Sequence, residues 1–184
     1  MARLERYVAL LERWAPRVNL IGRATISDLW IRHVADSLQL QSFMPQDVTH
    51  AADIGSGAGF PGLVLAIVNG TFFTLVESDS RKAAFLNEAI RVTSATAEVF
   101  NGRFQVERPL VQLITARAFA PLRRILAATP AVQRDIATYL LLKGESASAE
   151  IDEARQDFAF DLDLMPSLTS TRGSILKLRN VRPL

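Results

Sequence analysis

The chain of 184 residues contains no cysteine and only two histidines. Without cysteine there is no disulfide, no thiolate metal site and no cysteine nucleophile, and two histidines are too few for the usual zinc site. No apolar run approaches the roughly 18 residues that a membrane helix needs. We therefore expect a cytoplasmic protein that holds no metal and does not enter a membrane.

Composition predicts one domain with a good core, because 49% of the residues are hydrophobic. We divide it into a helical N-terminal extension, residues 1–45, and a cofactor-binding and catalytic core, residues 46–184. The net charge is only +2, but residues 41–80 hold four acids and no base, whereas residues 81–134 hold nine bases and three acids. Arginine supplies 18 of the 21 bases. This balance permits an RNA partner without requiring one.

Glycines at alternate positions mark the most informative segment. The chain reads Asp53-Ile54-Gly55-Ser56-Gly57-Ala58-Gly59-Phe60-Pro61-Gly62 between two apolar runs, which predicts a strand, a tight loop and a helix. Such a loop lets its backbone approach a ligand closely, and the helix that follows offers unpaired N–H groups. The segment predicts a nucleotide-like cofactor, and the alternative is a turn that serves packing alone.

The glycine spacing does not by itself decide which cofactor binds. Residues 57–62 also satisfy the G-x-G-x-x-G spacing of dinucleotide folds, and Glu77 follows as a candidate ribose-binding acid. Two details favour S-adenosylmethionine over NAD: the glycine series already starts at Gly55, and Asp53 precedes it by two residues. S-adenosylmethionine carries an ammonium and a sulfonium and no phosphate, so a nearby acid attracts it.

Strands and helices alternate along most of the chain. The pattern predicts a helix over 2–14, a second helix capped by Ser27-Asp28 and running through Leu40, and a third helix capped by Ser80. Further helices are predicted over 61–69, 121–129 and 147–156. Strands are predicted near 49–54, 71–77, 96–100, 111–116 and 137–142. This alternation predicts a parallel sheet with helices on both faces.

The end of the chain departs from that alternation. Residues 158–164 and 174–178 both alternate with period two, and no helix is predicted between them, so they read as an antiparallel pair at the sheet edge. The expected fold is α/β, of the class I S-adenosylmethionine methyltransferase (Rossmann-like) type. Its seven-stranded sheet would carry an antiparallel last strand.

Further segments match one family in a single register over nearly the whole chain. They are Trp14…Asn19-Leu20, Arg32-His33-Val34-Ala35-Asp36-Ser37-Leu38, Glu77-Ser78…Lys82…Phe85-Leu86, Gly102-Arg103, Ala116-Arg117-Ala118-Phe119-Ala120-Pro121-Leu122 and Leu142-Lys143-Gly144. With the glycine segment, they resemble the bacterial 16S ribosomal RNA guanine-N7 methyltransferases, the glucose-inhibited division protein B family.

The resemblance implies methyl transfer from S-adenosylmethionine to N7 of the guanine at position 527, in the 530 loop of 16S rRNA. The partner would be this RNA within the 30S subunit or its assembly intermediate. By matching position, the loop of Gly55, Gly57, Gly59 and Phe60 would bind the methionine part of the cofactor beside Asp53. Glu77 would bind the ribose, Phe104 and Gln105 the adenine, and Arg117 would complete the pocket. Gln105 stands where the family usually has glutamate.

Guanine N7 has a lone pair and no proton, so the protein needs to supply positioning and electrostatic support rather than a general base. Arg117 or Lys143 could donate to guanine O6; alternatively, Arg117 pairs with Asp53 or Glu77 and only holds the loops. Arg103 and Arg172 match arginines associated with activity in the family. His33 is a further candidate, with a hydrogen-bonded structural role as its alternative.

Three other functions each fit part of the sequence. The glycine spacing and Glu77 fit an NAD-binding oxidoreductase. The same cofactor loop fits a methyltransferase that acts on a small molecule. The basic segment fits an RNA-binding module that has kept the fold without catalysis.

Overall fold

The computed structural model describes residues 1–22, 28–103, 110–134 and 136–184. Helix α1, Ala2–Trp14, buries one stripe that includes Leu4, Tyr7 and Leu11, in the spacing that predicted it. The second helical segment changes type along its length, from a π-helical turn, Trp30–Ala35, through α2, Asp36–Leu38, to a 3-10 stretch, Gln39–Phe43. It therefore continues past Leu40. The predicted cap residue Ser27 lies outside the described residues.

Seven strands form one sheet in the order β3-β2-β1-β4-β5-β7-β6. Strand β7 runs antiparallel to both of its neighbours, and the other described pairs are parallel. The predicted fold class is thus confirmed. The strands are β1 His50–Ile54, β2 Phe72–Glu77, β3 Ala97–Asn101, β4 Leu113–Arg117, β5 Thr138–Lys143, β6 Phe158–Pro166 and β7 Ser174–Pro183.

Helices cover both faces of the sheet. One apolar cluster joins α1 and the sheet to two helices, α3 and α4, and a second cluster joins the opposite face to α5 and α7. A short helix, α6, was not predicted. The bounds are α3 Gly62–Asn69, α4 Ser80–Thr93, α5 Leu122–Ala128, α6 Ala131–Arg134 and α7 Ala147–Ala154. Among the described residues, no helix is long and apolar enough to cross a membrane.

The cap of α4 differs from the prediction. Asp79 is the N-cap, and its carboxylate accepts hydrogen bonds from the backbone N–H groups of Arg81 and Lys82, at 2.8 and 3.3 Å. Ser80 lies inside the helix, and its hydroxyl donates to Asn101 instead. An ionised carboxylate satisfies two free N–H groups at once and suits the positive end of a helix, so it takes the cap position.

Strand order reverses at β1, whose neighbours are β2 and β4. Because helices leave the two sides of this point in opposite directions, a crevice opens beyond the carboxyl ends of the strands. The glycine loop follows β1, Glu77 ends β2 and Arg117 ends β4. The topology therefore brings the three main groups of predicted site residues to one edge.

Candidate active site

A cavity of about 570 Å³ lies at this edge of the sheet, a size that suits a small-molecule cofactor. Its wall contains the predicted residues Gly55, Gly57, Phe60, Glu77 and Arg117, together with Arg103. Further lining residues include Leu20, Ile54, Ser56, Ala58, Val76, Ser78, Lys82, Gly102, Ala118 and Phe119. Phe104 and Gln105, the predicted adenine contacts, lie outside the described residues.

The loop after β1 depends on glycine for its backbone conformation. Gly55, Gly57 and Gly59 have φ values of +69°, +56° and +98°, in the left-handed region that side chains disfavour. The N–H groups of Gly55 and Ser56 both donate to the carbonyl of Val76, at 2.9 and 3.0 Å, and so fix the loop to β2. The chain thus turns sharply at positions without a side chain. Gly55 and Gly57 line the cavity, whereas Gly59 is not among its lining residues.

Tyr7, on helix α1, contacts the same loop. Its hydroxyl donates to the carbonyl of Ala58 at 2.6 Å, and its ring packs edge-on against Phe60 with 5.6 Å between centroids. The tyrosine is fully buried, and burial raises its phenol pKa well above the ordinary value. The contact joins residues 51 positions apart, so no local pattern in the sequence indicated it.

Glu77 meets the loop from β2. Its Oε2 accepts from the N–H of Gly57 at 2.9 Å, and its Oε1 accepts from the N–H of Asp79 at 2.8 Å. A carboxylate has about four acceptor positions, so these two bonds leave acceptor capacity on a residue that lines the cavity. The side chain is only 7% exposed. These features fit a ligand with paired hydroxyl groups, such as a ribose.

Asp53 lies behind the loop, and it is not among the residues that line the cavity. Its carboxylate is fully buried and accepts from the hydroxyl of Thr115 at 2.6 Å. A Cβ atom on Gly62 would come within 2.4 Å of the Cβ of Asp53, so α3 begins directly against this side chain. Burial raises the pKa of Asp53 to about 6, and the hydrogen bond from Thr115 opposes that rise. Direct contact with a cofactor, the role expected from sequence, does not follow from this placement.

Arg117 joins the sheet to the N-terminal helical segment. Its Nη2 donates to Nδ1 of His33 at 2.6 Å, and its Nη1 donates to the carbonyl of Arg32 at 2.9 Å and to Oδ2 of Asp36 at 3.4 Å. The guanidinium also lies 4.8 Å from the ring centroid of Phe60. The carboxylate partner is therefore Asp36, and neither of the two acids suggested by sequence, Asp53 and Glu77, takes that place.

His33 is a buried, neutral partner in this contact. Burial lowers its pKa to about 4, with the positive charge of Arg117 as the next cause. Its ring stacks on Phe60 with 5.0 Å between centroids. Because arginine can only donate, Nδ1 must accept, and the proton of the neutral ring lies on Nε2. The hydrogen-bonded structural contact considered for His33 is thus present. His33 lies against Phe60 and Arg117, which line the cavity, but is not itself among the lining residues.

Asp36 also ties in the loop between β6 and β7. Its Oδ1 accepts from the hydroxyl of Thr169 at 2.5 Å and from the amide of Gln39 at 2.7 Å. The side-chain oxygen of Gln39, Oε1, in turn accepts from the backbone N–H of Leu168 at 2.9 Å. Two segments more than 120 residues apart in sequence are therefore held together at Asp36.

Lys143 lies in the wall of a second cavity, of about 460 Å³, which shares Arg117, Ala118 and Phe119 with the first. Its Nζ donates to the carbonyl of Ala120 at 2.6 Å and to Oε2 of Glu150 at 2.7 Å. Two of its three donors are thus engaged in fixing the end of β5.

Arg172, by contrast, is largely exposed in the β6–β7 loop. Its nearest acid is Glu145, at 2.9 Å. Arg172 lines neither of the two cavities. Among the described residues, no cluster of three histidine, aspartate or glutamate side chains is arranged to hold a metal ion.

Comparison with known proteins decides the family. The GidB family model, described as rRNA small subunit methyltransferase G, matches residues 1–176. The chain belongs to this family. A methyltransferase G from Gluconobacter oxydans is 42% identical over 98% of this chain and 93% of its own length. Another, from Rhodospirillum centenum, is 43% identical over 98% of this chain and 84% of its own length.

Solved structures at low identity support the fold of this chain. A ribosomal protein L11 methylase from Lactobacillus delbrueckii subsp. bulgaricus superposes with a TM-score of 0.63 at 13% identity, over 81% of this chain and 78% of that one. A TehB-like SAM-dependent methyltransferase from Corynebacterium glutamicum superposes with a TM-score of 0.56 at 13% identity, over 79% and 86%.

Membership of the methyltransferase G family confirms the resemblance and the enzyme class expected from sequence. The NAD-dependent oxidoreductase considered as an alternative is therefore wrong. The glycine spacing and the acid at the end of β2 are common to both kinds of nucleotide-binding fold, which is why spacing alone could not separate them.

Proposed function

We propose that this methyltransferase G family member transfers a methyl group from S-adenosylmethionine to N7 of the guanine at position 527, in the 530 loop of 16S rRNA. The observation that supports this reaction is the family match over residues 1–176, which spans the glycine loop, Glu77 and Arg117. These are the same residues that build the cavity. The RNA would be read within the 30S subunit or its assembly intermediate, and hence in the cytoplasm.

The cavity fits the cofactor in size, at about 570 Å³, and in the acceptor that Glu77 offers. When bound, S-adenosylmethionine supplies an electrophilic methyl carbon on a positively charged sulfur. Glu77 would accept hydrogen bonds from the ribose hydroxyls, and the backbone of Gly55 and Gly57, which line the cavity, would accommodate the methionine part. Gly59 would serve the turn of the loop, because a Cβ atom there would meet Leu63 and Leu86. Asp53 acts from behind the loop, because its negative charge favours a cationic ligand without touching it. Phe104 and Gln105 remain our candidates for the adenine contact.

Methylation of N7 requires that the protein orient the guanine, and it requires no proton transfer. N7 of guanine is not protonated, so the residues around it need only align it with the methyl carbon and stabilise the charge that moves onto the purine. Arg117 is held by His33, Arg32 and Asp36 through two of its nitrogens, and a guanidinium has five N–H donors. We assign to Arg117 the hydrogen bond to guanine O6, the acceptor beside N7.

The remaining predicted residues take supporting roles in this proposal. Lys143 holds the end of β5 in place through its contacts with Glu150 and the carbonyl of Ala120. Arg103, at the cavity wall, and Arg172, exposed at the β6–β7 loop, contact RNA phosphates. Phosphate contacts of this kind make the affinity fall steeply with added salt.

The direct test is transfer of a labelled methyl group from S-adenosylmethionine to 30S subunits that lack the modification. Free 16S rRNA, 50S subunits and a mixture of small metabolites serve as comparisons in parallel reactions. We expect label in the 30S subunit and none in the 50S subunit. Binding of S-adenosylmethionine without transfer to any ribosomal particle would contradict the proposal and favour a small-molecule substrate. RNA binding without cofactor binding would contradict it in favour of a silent RNA-binding module.

A further inference from the structure

Phe119 lies in the wall that the two cavities share, two residues after Arg117. The first cavity is the candidate cofactor site, and the second is lined by polar groups that include Lys143, Ser167 and Ser170. The side chain of Phe119 is 46% exposed. A large aromatic ring left open to solvent at the junction of two cavities has an apolar face available for a ligand.

The backbone before Phe119 and the contact of its ring with Gly55 together determine where the ring lies. The residue before it, Ala118, has a φ of +49°, a left-handed conformation that costs energy in any residue other than glycine. The ring itself rests on Gly55, because a Cβ atom at that position would lie 2.2 Å from Cδ2 of Phe119. The glycine at position 55 thus serves the ring as well as the loop.

Phe60, the other aromatic residue that the described part of the chain contributes to the wall of the first cavity, has a different environment. It is 3% exposed, and its ring is contacted by the imidazole of His33 and the guanidinium of Arg117. Phe60 therefore serves the internal packing of the site. Among the described residues of these walls, Phe119 is the aromatic residue whose surface is open to a ligand.

We propose that Phe119 is the platform on which the acceptor guanine stacks, with its N7 turned toward the cofactor cavity. This inference rests on the proposed function, because it assumes that the acceptor is a base. Unpaired bases are commonly held by stacking on aromatic side chains, and a base that undergoes chemistry must leave its own stack. A base stacked on Phe119 would lie beside Arg117 and would occupy the second cavity, of about 460 Å³. This cavity adjoins the cofactor cavity at Arg117, Ala118 and Phe119.

The test compares three substitutions at this position in the full chain. Phe119→Tyr keeps the aromatic face, Phe119→Leu keeps an apolar contact with Gly55 but removes the face, and Phe119→Ala removes both. We expect Phe119→Tyr to retain kcat/KM for 30S subunits within about twofold. We expect Phe119→Leu to lose about 10- to 100-fold, the range that base stacking on an aromatic residue supports.

A role in packing alone would give a different pattern. Affinity for S-adenosylmethionine, measured by titration calorimetry, should change less than twofold in Phe119→Leu, and the melting temperature should stay within a few degrees. If Phe119→Leu transfers methyl groups as fast as the unsubstituted protein, the platform is overturned. A cofactor affinity that falls by the same factor as kcat/KM would also overturn it, since Phe119 would then be a cofactor contact.

A second readout does not depend on activity. Guanosine 5′-monophosphate is titrated into the protein in the presence of S-adenosylhomocysteine, and the ring protons of Phe119 are followed by NMR. Stacking predicts upfield shifts, with smaller shifts from uridine 5′-monophosphate. If the enzyme fails to methylate 30S subunits but these shifts occur, the platform stands and the proposed substrate is wrong. No shift with the guanine nucleotide overturns the platform itself.

Discussion

The guanidinium of Arg117 donates to Nδ1 of His33 across 2.6 Å, and this bond joins the end of β4 to a π-helical turn in the N-terminal segment. Turns of the π type are often found at functional sites. Because Arg117 also lines both cavities, the N-terminal segment is part of the site and does more than cover it.

His33 should remain neutral throughout the physiological range. Its pKa of about 4 predicts that its NMR resonance titrates well below that of a free imidazole. His50 is the one other histidine in the chain, so a His50→Gln variant assigns the two signals. A midpoint for His33 near 6.5 would show that the ring is not desolvated in this contact.

The same lowered pKa has a consequence for stability. Between pH 6.5 and 4 the unfolded chain takes up a proton at His33 and the folded chain does not, so stability is lost as the pH falls through that window. Relative to a His33→Gln variant, the free energy of unfolding should fall by about 3 kcal/mol across it. Urea unfolding of both proteins at pH 7 and pH 4.5 would reveal most of this difference.

Asp53 should show the opposite dependence. Its pKa is raised to about 6 in the folded state, so its contribution to stability is present below pH 3.8 and is lost as the pH rises through 6. Compared with Asp53→Asn, the unsubstituted protein should lose about 2 kcal/mol of relative stability between pH 4 and pH 7. Paired urea unfolding measures this difference, and a difference independent of pH would contradict the assigned cause.

Replacing Glu77 by glutamine tests the ribose contact. Glutamine keeps the length of the side chain but has one carbonyl oxygen in place of two charged ones, which already accept from Gly57 and Asp79. We expect affinity for S-adenosylmethionine to fall at least about tenfold, as for loss of a charged hydrogen bond. Glu88→Gln is the matched control, since Glu88 pairs with Arg91 on α4 and lines neither cavity.

Substitution of Arg117 by lysine should affect transfer more than cofactor binding. Lysine keeps the charge but lacks the planar donor group that contacts His33, Arg32 and Asp36. We expect kcat/KM with 30S subunits to fall by about 10-fold or more, with a change in S-adenosylmethionine affinity of less than about threefold. Unchanged transfer with weakened cofactor binding would show that Arg117 does not contact the guanine.

Lys143 should behave as a structural residue. Its side chain is 7% exposed and pairs with Glu150, so Lys143→Met leaves a partly buried carboxylate without its cation. We expect a loss of about 3 kcal/mol in stability, and a change in kcat of less than about threefold at a temperature where the variant is folded. Thermal melting and initial rates measure the two. A large fall in kcat with little loss of stability would place Lys143 among the catalytic groups.

Local patterns in the sequence predicted much of the fold. The spacing of apolar residues located the alternating strands and helices, and the glycine series with Glu77 located the cavity, because these features depend on neighbours in the chain. The contacts of Arg117 with His33 and Asp36 join residues more than 80 positions apart, and the bond from Thr169 to Asp36 spans 133 positions. No local pattern encodes such pairs, so they emerged from the structure.

The burial of Asp53 could not be deduced either. An acid two residues before the first glycine can face the ligand or the core, and the packing of α3 onto β1 decides between them. The N-cap of α4 could not be deduced either. Asp79 and Ser80 both have side chains that can cap a helix, and the backbone of the turn places Asp79 at the N-cap.

The most direct test of the account is to map the methylated nucleotide. 30S subunits without the modification are incubated with the protein and S-adenosylmethionine, and the rRNA is cleaved chemically at 7-methylguanine and read by primer extension. We expect one new stop, at the guanine at position 527 in the 530 loop. A stop elsewhere, or no stop despite measurable cofactor binding, would contradict it.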